Sequence, residues 1–355
     1  MSVIELIRED LRKFNPYSSA RDEAKQGKIW LNANESPFVR QTKEGVSINR
    51  YPEKQPSYLL KKISKYFGVD QDQIMISRGS DEGIDLLTRL FCRAEKDKIM
   101  ICPPTFGMYS VCAQLQGADI ISVPLKKEDN FNLDLDVMMA SWTPEVKIIF
   151  LCSPNNPTGN VIKENDVLFL CETLSKKAII VVDEAYIEFS STESLSQYIN
   201  KFSNLVILRT FSKAYGLAGS RSGLLFAQAE LIRWLKSIMA PYPLPIQTVK
   251  MLEDVLNDNA IADIKKQITV IKNEREKLIK ELGKIKIIEK IWPTETNYVL
   301  TKTRDSKRIM DICNENGIVL RNMNDKPGLN NCIRISIGLP EENNMLIDLL
   351  KRIVL

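Results

Sequence analysis

Short apolar runs rich in β-branched residues recur along the first two thirds of the chain, at residues 74–77, 98–102, 120–123, 147–151, 178–182, 205–209 and 223–226. Between several of them lie amphipathic stretches of helix length, at 82–91, 108–116 and 164–174. Strands alternating with helices predict an α/β architecture in which a mostly parallel sheet is covered on both faces. Pro241, Pro243 and Pro245 then interrupt regular structure, and residues 254–282 read as a highly charged helix. A smaller α+β lobe is expected beyond it, with strands at 298–301, 318–321 and 333–337 and helices at 306–316 and 341–352. The expected division is an N-terminal arm with part of the small lobe (1–45), a large lobe (46–250) and a small C-terminal lobe (251–355). There is no repeat of solenoid period and no low-complexity tract.

Composition narrows the chemistry. A chain of 355 residues with 44% hydrophobic residues can bury the core that two lobes need. The formal net charge of +4 is small for this length, so no field for nucleic acid or membrane lipid is expected, and the partner is a small molecule or another subunit. The opening residues carry Glu5, Arg8, Glu9 and Asp10 where a signal peptide needs an apolar run, so the cytoplasm is the expected location. The seven cysteines are scattered without the spacing of a zinc or redox motif. The chain has no histidine, which removes Ser-His-Asp and Cys-His nucleophile activation and histidine metal ligation. No metal site is expected, and chemistry must run on Lys, Asp, Glu, Tyr, Arg or a cofactor.

Sites in such sheets form beyond the carboxyl ends of the strands. Four of the loops there are unusual. Asp183-Glu184-Ala185-Tyr186 places a carboxylate at the end of a buried strand and a phenol three residues on. Thr210-Phe211-Ser212-Lys213 leads into Gly219-Ser220-Arg221-Ser222-Gly223, where hydroxyls, glycine-freed amides and a guanidinium suit a phosphate and Lys213 offers an amine nucleophile. Ser153-Pro154-Asn155-Asn156-Pro157-Thr158-Gly159 is an irregular turn that can hold the Asn156 amide toward a pocket. Arg78-Gly79-Ser80-Asp81 enters a helix whose first amides can bind phosphate oxygens, without the Lys-Ser/Thr ending of a Walker loop. A phosphate cradle, a lysine, a carboxylate, a phenol and an amide fit pyridoxal phosphate, whose chemistry asks for a Schiff-base lysine, an acidic partner for its ring nitrogen and an anchored phosphate.

Asn156-Pro157-Thr158-Gly159, Asp183-x-x-Tyr186, Ser212-Lys213 and Arg221-x-Gly223, in this order, resemble the fold type I aminotransferases. The runs Asn32-Ala33-Asn34-Glu35, Arg50-Tyr51-Pro52, Pro103-Pro104-Thr105-Phe106-Gly107-Met108-Tyr109 and Arg334-Ile335-Ser336-Ile337-Gly338 narrow the likeness to the histidinol-phosphate aminotransferase family, from about Tyr17 to the C-terminus. The resemblance implies that Lys213 is the Schiff-base lysine and proton shuttle, and that Asp183 pairs with the pyridinium nitrogen. It implies that Asn156 and Tyr186 bind the ring hydroxyl and Tyr109 stacks on the ring face. The cofactor phosphate falls to Ser80, Asp81 through its backbone amide, Thr210, Ser212 and Arg221, with Tyr51 reaching in from the other subunit of a homodimer. Arg334 and Arg321 are the implied anion contacts for substrate, histidinol phosphate on one side and glutamate or 2-oxoglutarate on the other; Tyr17 and Asn34 are further substrate-side positions.

Three other readings stay open at this stage. A threonine-phosphate decarboxylase or an aromatic amino acid aminotransferase is similar in its cofactor site, and an inactive regulator on the same fold is the non-enzymatic alternative. Ser220 stands where the family suggests leucine, and the segment before Tyr17 carries no interpretable pattern.

Overall fold

The computed structural model describes residues 3–20, 27–43 and 45–353, so parts of the expected N-terminal arm lie outside the described residues. The large lobe is built on a seven-stranded sheet: β1 (Ile74–Ser77), β2 (Lys98–Ile101), β3 (Asp119–Ser122), β4 (Val146–Cys152), β5 (Ile179–Asp183), β6 (Leu205–Thr210) and β7 (Gly223–Phe226), in the order β1-β7-β6-β5-β4-β2-β3. β7 is antiparallel to both neighbours and every other pair is parallel. Two reversals cancel, so β1 runs in the same direction as β4, β5 and β6. The loops that follow those four strands therefore leave the sheet at one edge.

Every residue of β1, β5, β6 and β7 is buried, as a sheet covered on both faces demands. Alternate side chains divide between the two faces: in β5, Ile180 and Val182 join one apolar cluster while Ile179 and Val181 join the other. The second cluster also contains Val3 and Ile7, beside Leu87 and Leu90 of the helix Gly79–Phe91. The N-terminal segment, grouped from sequence with the small lobe, thus docks on the large one. Arg8 fixes it there by donating its backbone N–H to the Leu90 carbonyl at 3.1 Å.

The small lobe carries an antiparallel sheet of β8 (Ile288–Ile291), β9 (Tyr298–Thr303), β10 (Arg321–Asn322) and β11 (Cys332–Ser336), in the order β10-β11-β9-β8. Its core combines Val299, Ile333 and Ile335 with Leu278 and Leu282, Ile309 and Ile347 from three helices. The helical region expected at 254–282 is two helices, Ile246–Val255 and Asp258–Leu282. Asn257 starts the second by accepting the Ala260 N–H at 2.9 Å, a cap that ends one helix register and begins another. The strand expected at 318–321 is shorter, because Val319 is 85% exposed and pairing begins only at Arg321.

The lobes are stitched together beside the Asn155-Asn156 turn. The Tyr298 hydroxyl donates to the Asn155 carbonyl at 2.7 Å, and the Glu295 N–H donates to the Gly159 carbonyl at 2.8 Å. Gly159 has φ +83°, and a Cβ there would overlap the Thr294 hydroxyl. Gly159→Ala is therefore expected to lower stability by about 3 kcal/mol, from backbone strain and the clash together, read as a drop in melting temperature. An unchanged melting temperature would show that this junction relaxes freely.

Candidate active site

A cavity of about 910 Å³ opens at the carboxyl edge of the large sheet and is closed on one side by the small lobe. Eleven of the sequence-predicted residues line it: Ser80, Asp81, Asn156, Asp183, Tyr186, Thr210, Ser212, Lys213, Arg221, Arg321 and Arg334. They come from the loops after β1, β4, β5 and β6, and from β10 and β11 opposite.

Asp183 ends β5 and is buried, with Oδ1 accepting the Ala185 N–H at 3.1 Å and Oδ2 accepting the Tyr109 hydroxyl at 2.9 Å. Burial pushes its pKa up to about 6, although both hydrogen bonds favour the carboxylate. A cation placed against it would favour the carboxylate further. Lys213, in the turn after β6, has its pKa lowered by burial and then by the neighbouring Arg334 guanidinium, which favours a free amine. Its Nζ lies 5.7 Å from the centre of the Tyr186 ring.

The backbone approaches closely where the cradle forms. Gly79 starts its helix with φ +78°, and a Cβ on Gly223 would sit 2.6 Å from both the Gly79 carbonyl carbon and the Ser80 nitrogen. Glycine at 223 lets β7 begin against the helix start, bringing the Ser80 end of that helix beside Thr210, Ser212 and Arg221. First-turn amides with no intrahelical acceptor, two hydroxyls and a guanidinium make an anion site.

On the other wall Arg321 and Arg334 are directly opposed across the β10–β11 ladder. Like charges so placed repel, and a bound anion relieves the repulsion. Arg334 donates to Asn156 Oδ1 at 2.5 Å and lies 5.1 Å from the Tyr298 ring centre, so its head is held over the cavity.

Four predicted residues lie elsewhere. Tyr109 does not face the cavity: its ring is fully buried and stacked on Phe150 at 4.8 Å, and its hydroxyl serves Asp183. Phe106, three residues earlier, lines the cavity instead. The physical reason is helical geometry, since Tyr109 lies in the first turn of the helix Met108–Gln116, on the face that packs on the sheet. Tyr51 stacks on Tyr242 at 4.1 Å in a separate, smaller cleft, its N–H accepted by Glu35 at 2.6 Å. Tyr17 and Asn34 are exposed away from this cavity, Tyr17 at 69%. Sequence reasoning missed Asp325 and Lys326, which line the cavity from the β10–β11 turn. Asp-Lys-Pro-Gly reads as an ordinary turn, and only the fold shows what it faces.

The model of aminotransferase classes I and II matches residues 16–350. The chain belongs to the class I and II aminotransferase family. Its relatives include the histidinol-phosphate aminotransferase of Francisella philomiragia, 44% identical over 98% of this chain and 95% of the relative. The enzyme of the same name from Escherichia coli O81 is 41% identical over 99% and 98%. Among solved structures, the histidinol-phosphate aminotransferase of Clostridium acetobutylicum superposes with a TM-score of 0.78 at 25% identity, covering 86% of this chain and 90% of that one.

Proposed function

We propose that this aminotransferase uses pyridoxal phosphate to move an amino group reversibly between L-histidinol phosphate and 2-oxoglutarate, giving imidazole acetol phosphate and glutamate. The observation that carries the reading is one cavity with two separate anion sites, on either side of Lys213 and Asp183. The relatives' names support the choice of substrate.

The residues fit the cofactor: a buried carboxylate with a raised pKa wants a cationic ring nitrogen, and the cradle wants a phosphate. When bound, pyridoxal phosphate supplies a ring that accepts electrons from the substrate's amine-bearing carbon. Asp183 holds the ring nitrogen's proton, and Tyr109 and Ala185 hold Asp183. Asn156 and Tyr186 would bind the ring hydroxyl, and Phe106, which lines the cavity, would take the ring-stacking role expected of Tyr109. Ser80, Asp81 through its amide, Thr210, Ser212 and Arg221 hold the phosphate. Lys213 would hold the cofactor through its amine and would move the proton at the substrate carbon; its lowered pKa favours the free amine that such a base needs.

Arg321 and Arg334 receive the substrate's phosphate or carboxylate in alternate half-reactions, since a guanidinium fork accepts either anion. Tyr17, Asn34 and Tyr51 are assigned to a cavity shared across a homodimer. The exposure of Ile29, Leu31, Phe38 and Val39, at 80%, 89%, 78% and 66%, supports a second copy covering that segment. No helix among the described residues is long and apolar enough to cross a membrane, and the cytoplasm is the proposed location.

The test is product analysis on the cofactor-loaded protein. Histidinol phosphate with 2-oxoglutarate is expected to give glutamate and imidazole acetol phosphate in equal amounts. Carbon dioxide released from threonine phosphate, or turnover confined to aromatic amino acids, would replace the substrate assignment.

A further inference from the structure

The phosphate cradle contains an acid. Asp81 stands in the first turn of the helix Gly79–Phe91, among the groups that make the cradle attractive to anions. Its carboxylate Oδ2 lies 3.1 Å from Arg221 Nη2. Arg221 is the one guanidinium among the cradle groups, and its backbone takes the left-handed conformation, with φ +51°. A carboxylate beside a dianionic phosphate is repelled, and a carboxylate on the arginine occupies the donor that the phosphate needs.

The helix itself does not require this acid at that distance from Arg221. Glu82, next in the chain, accepts the Arg78 N–H at 2.7 Å and pairs with the Arg78 guanidinium at 2.6 Å, so the helix start already holds an engaged carboxylate. Side chains of Asp81 and Arg221 are 40% and 55% exposed. Their ion pair is therefore weak enough to be exchanged for a stronger one.

We propose that the Asp81 carboxylate is an internal stand-in for phosphate: it holds Arg221 in the empty cradle and competes with the incoming phosphomonoester, so that cofactor affinity is set by exchange of one anion for another. This rests on the reading that the cradle takes the cofactor phosphate, and it makes Asp81 a positioning residue acting through Arg221. Loading then proceeds in one order. The phosphate arrives, Arg221 leaves Asp81 for it, and the Asp81 backbone amide, which carries no competing charge, keeps its place at the helix start. A ligand without a phosphate gains nothing from Arg221 and leaves the pair intact.

Binding calorimetry on the full chain freed of cofactor separates the possibilities, using inorganic phosphate, pyridoxal phosphate and unphosphorylated pyridoxal as probes. Asp81→Asn is expected to bind the two phosphates about fivefold more tightly than wild type, and pyridoxal equally. The gain is expected to shrink as salt is raised, because the pair is exposed. Asp81→Ser provides a second variant that keeps a short polar side chain at the helix start, and melting curves without phosphate show whether either variant has lost its fold. Phosphate affinity that is unchanged or weaker in a folded variant, or a gain that extends to pyridoxal, overturns the proposal. If wild type and both variants bind neither phosphate, the cradle reading falls with it.

Discussion

Lys213→Ala is expected to cut the rate of glutamate formation from histidinol phosphate and 2-oxoglutarate by about 10⁴-fold or more, since a positioned proton carrier and the covalent attachment point are lost together. No other lysine among the residues lining the cavity can take over, because Lys326 belongs to the opposite lobe and is paired with Asp325 at 2.9 Å. Lys213's environment contributes to the effect: burial and Arg334 lower its pKa, so the native amine is a more available base than a solvated lysine. Borohydride treatment of the loaded protein supplies an independent check. It should attach the cofactor mass to the peptide containing Lys213 in wild type and attach none in the variant. Partial recovery of rate by a small added amine is expected, since the cradle and Asp183 remain. A variant that retains wild-type turnover would remove Lys213 from the chemistry.

The alternation of apolar runs and amphipathic stretches was enough to place the large sheet's strands to within a residue or two, because strands buried on both faces leave a strong signal. The cradle and the Lys213 loop were legible because strand ends that share an edge bring their loops together. What sequence could not show was which way a side chain points. Phe106 and Tyr109 lie in one motif, yet Phe106 precedes the helix and lines the cavity, while the first helical turn carries Tyr109 under Asp183. The Asp81 carboxylate was invisible for the same reason, since a backbone role and a side-chain role share one letter. Tyr51 rests on Tyr242, whereas the role expected of it lies in another subunit. The N-terminal segment had no periodicity to read, yet Val3 and Ile7 bury themselves against a helix that is distant in sequence.

Asp183→Asn is expected to lower the rate by about 10³-fold, as loss of a preorganised charge at the ring nitrogen should, and its pH behaviour distinguishes this cause from a packing defect. In the cofactor-free protein Asp183 keeps its proton up to about pH 6, whereas in the unfolded chain the proton leaves at the ordinary value of 3.8. Between those values the folded state binds more protons than the unfolded one. The stability that this group contributes is therefore full below its unfolded pKa and is lost as pH rises through about 6. Asparagine does not titrate, so the melting temperature of the cofactor-free variant should gain on wild type as pH rises from about 4 to about 7. With cofactor the comparison reverses, because a ring cation stabilises the carboxylate and has nothing to meet in asparagine. Wild type should then gain more in melting temperature from cofactor than the variant does. If both proteins respond to pH and cofactor alike, the carboxylate is a structural acid and the ring nitrogen has some other partner. Tyr109 offers the finer control: Tyr109→Phe keeps the Phe150 stack and removes the donor to Asp183, which raises the carboxyl's pKa further, so its rate should fall less than that of the asparagine variant while its cofactor-free melting temperature loses ground to wild type as pH rises.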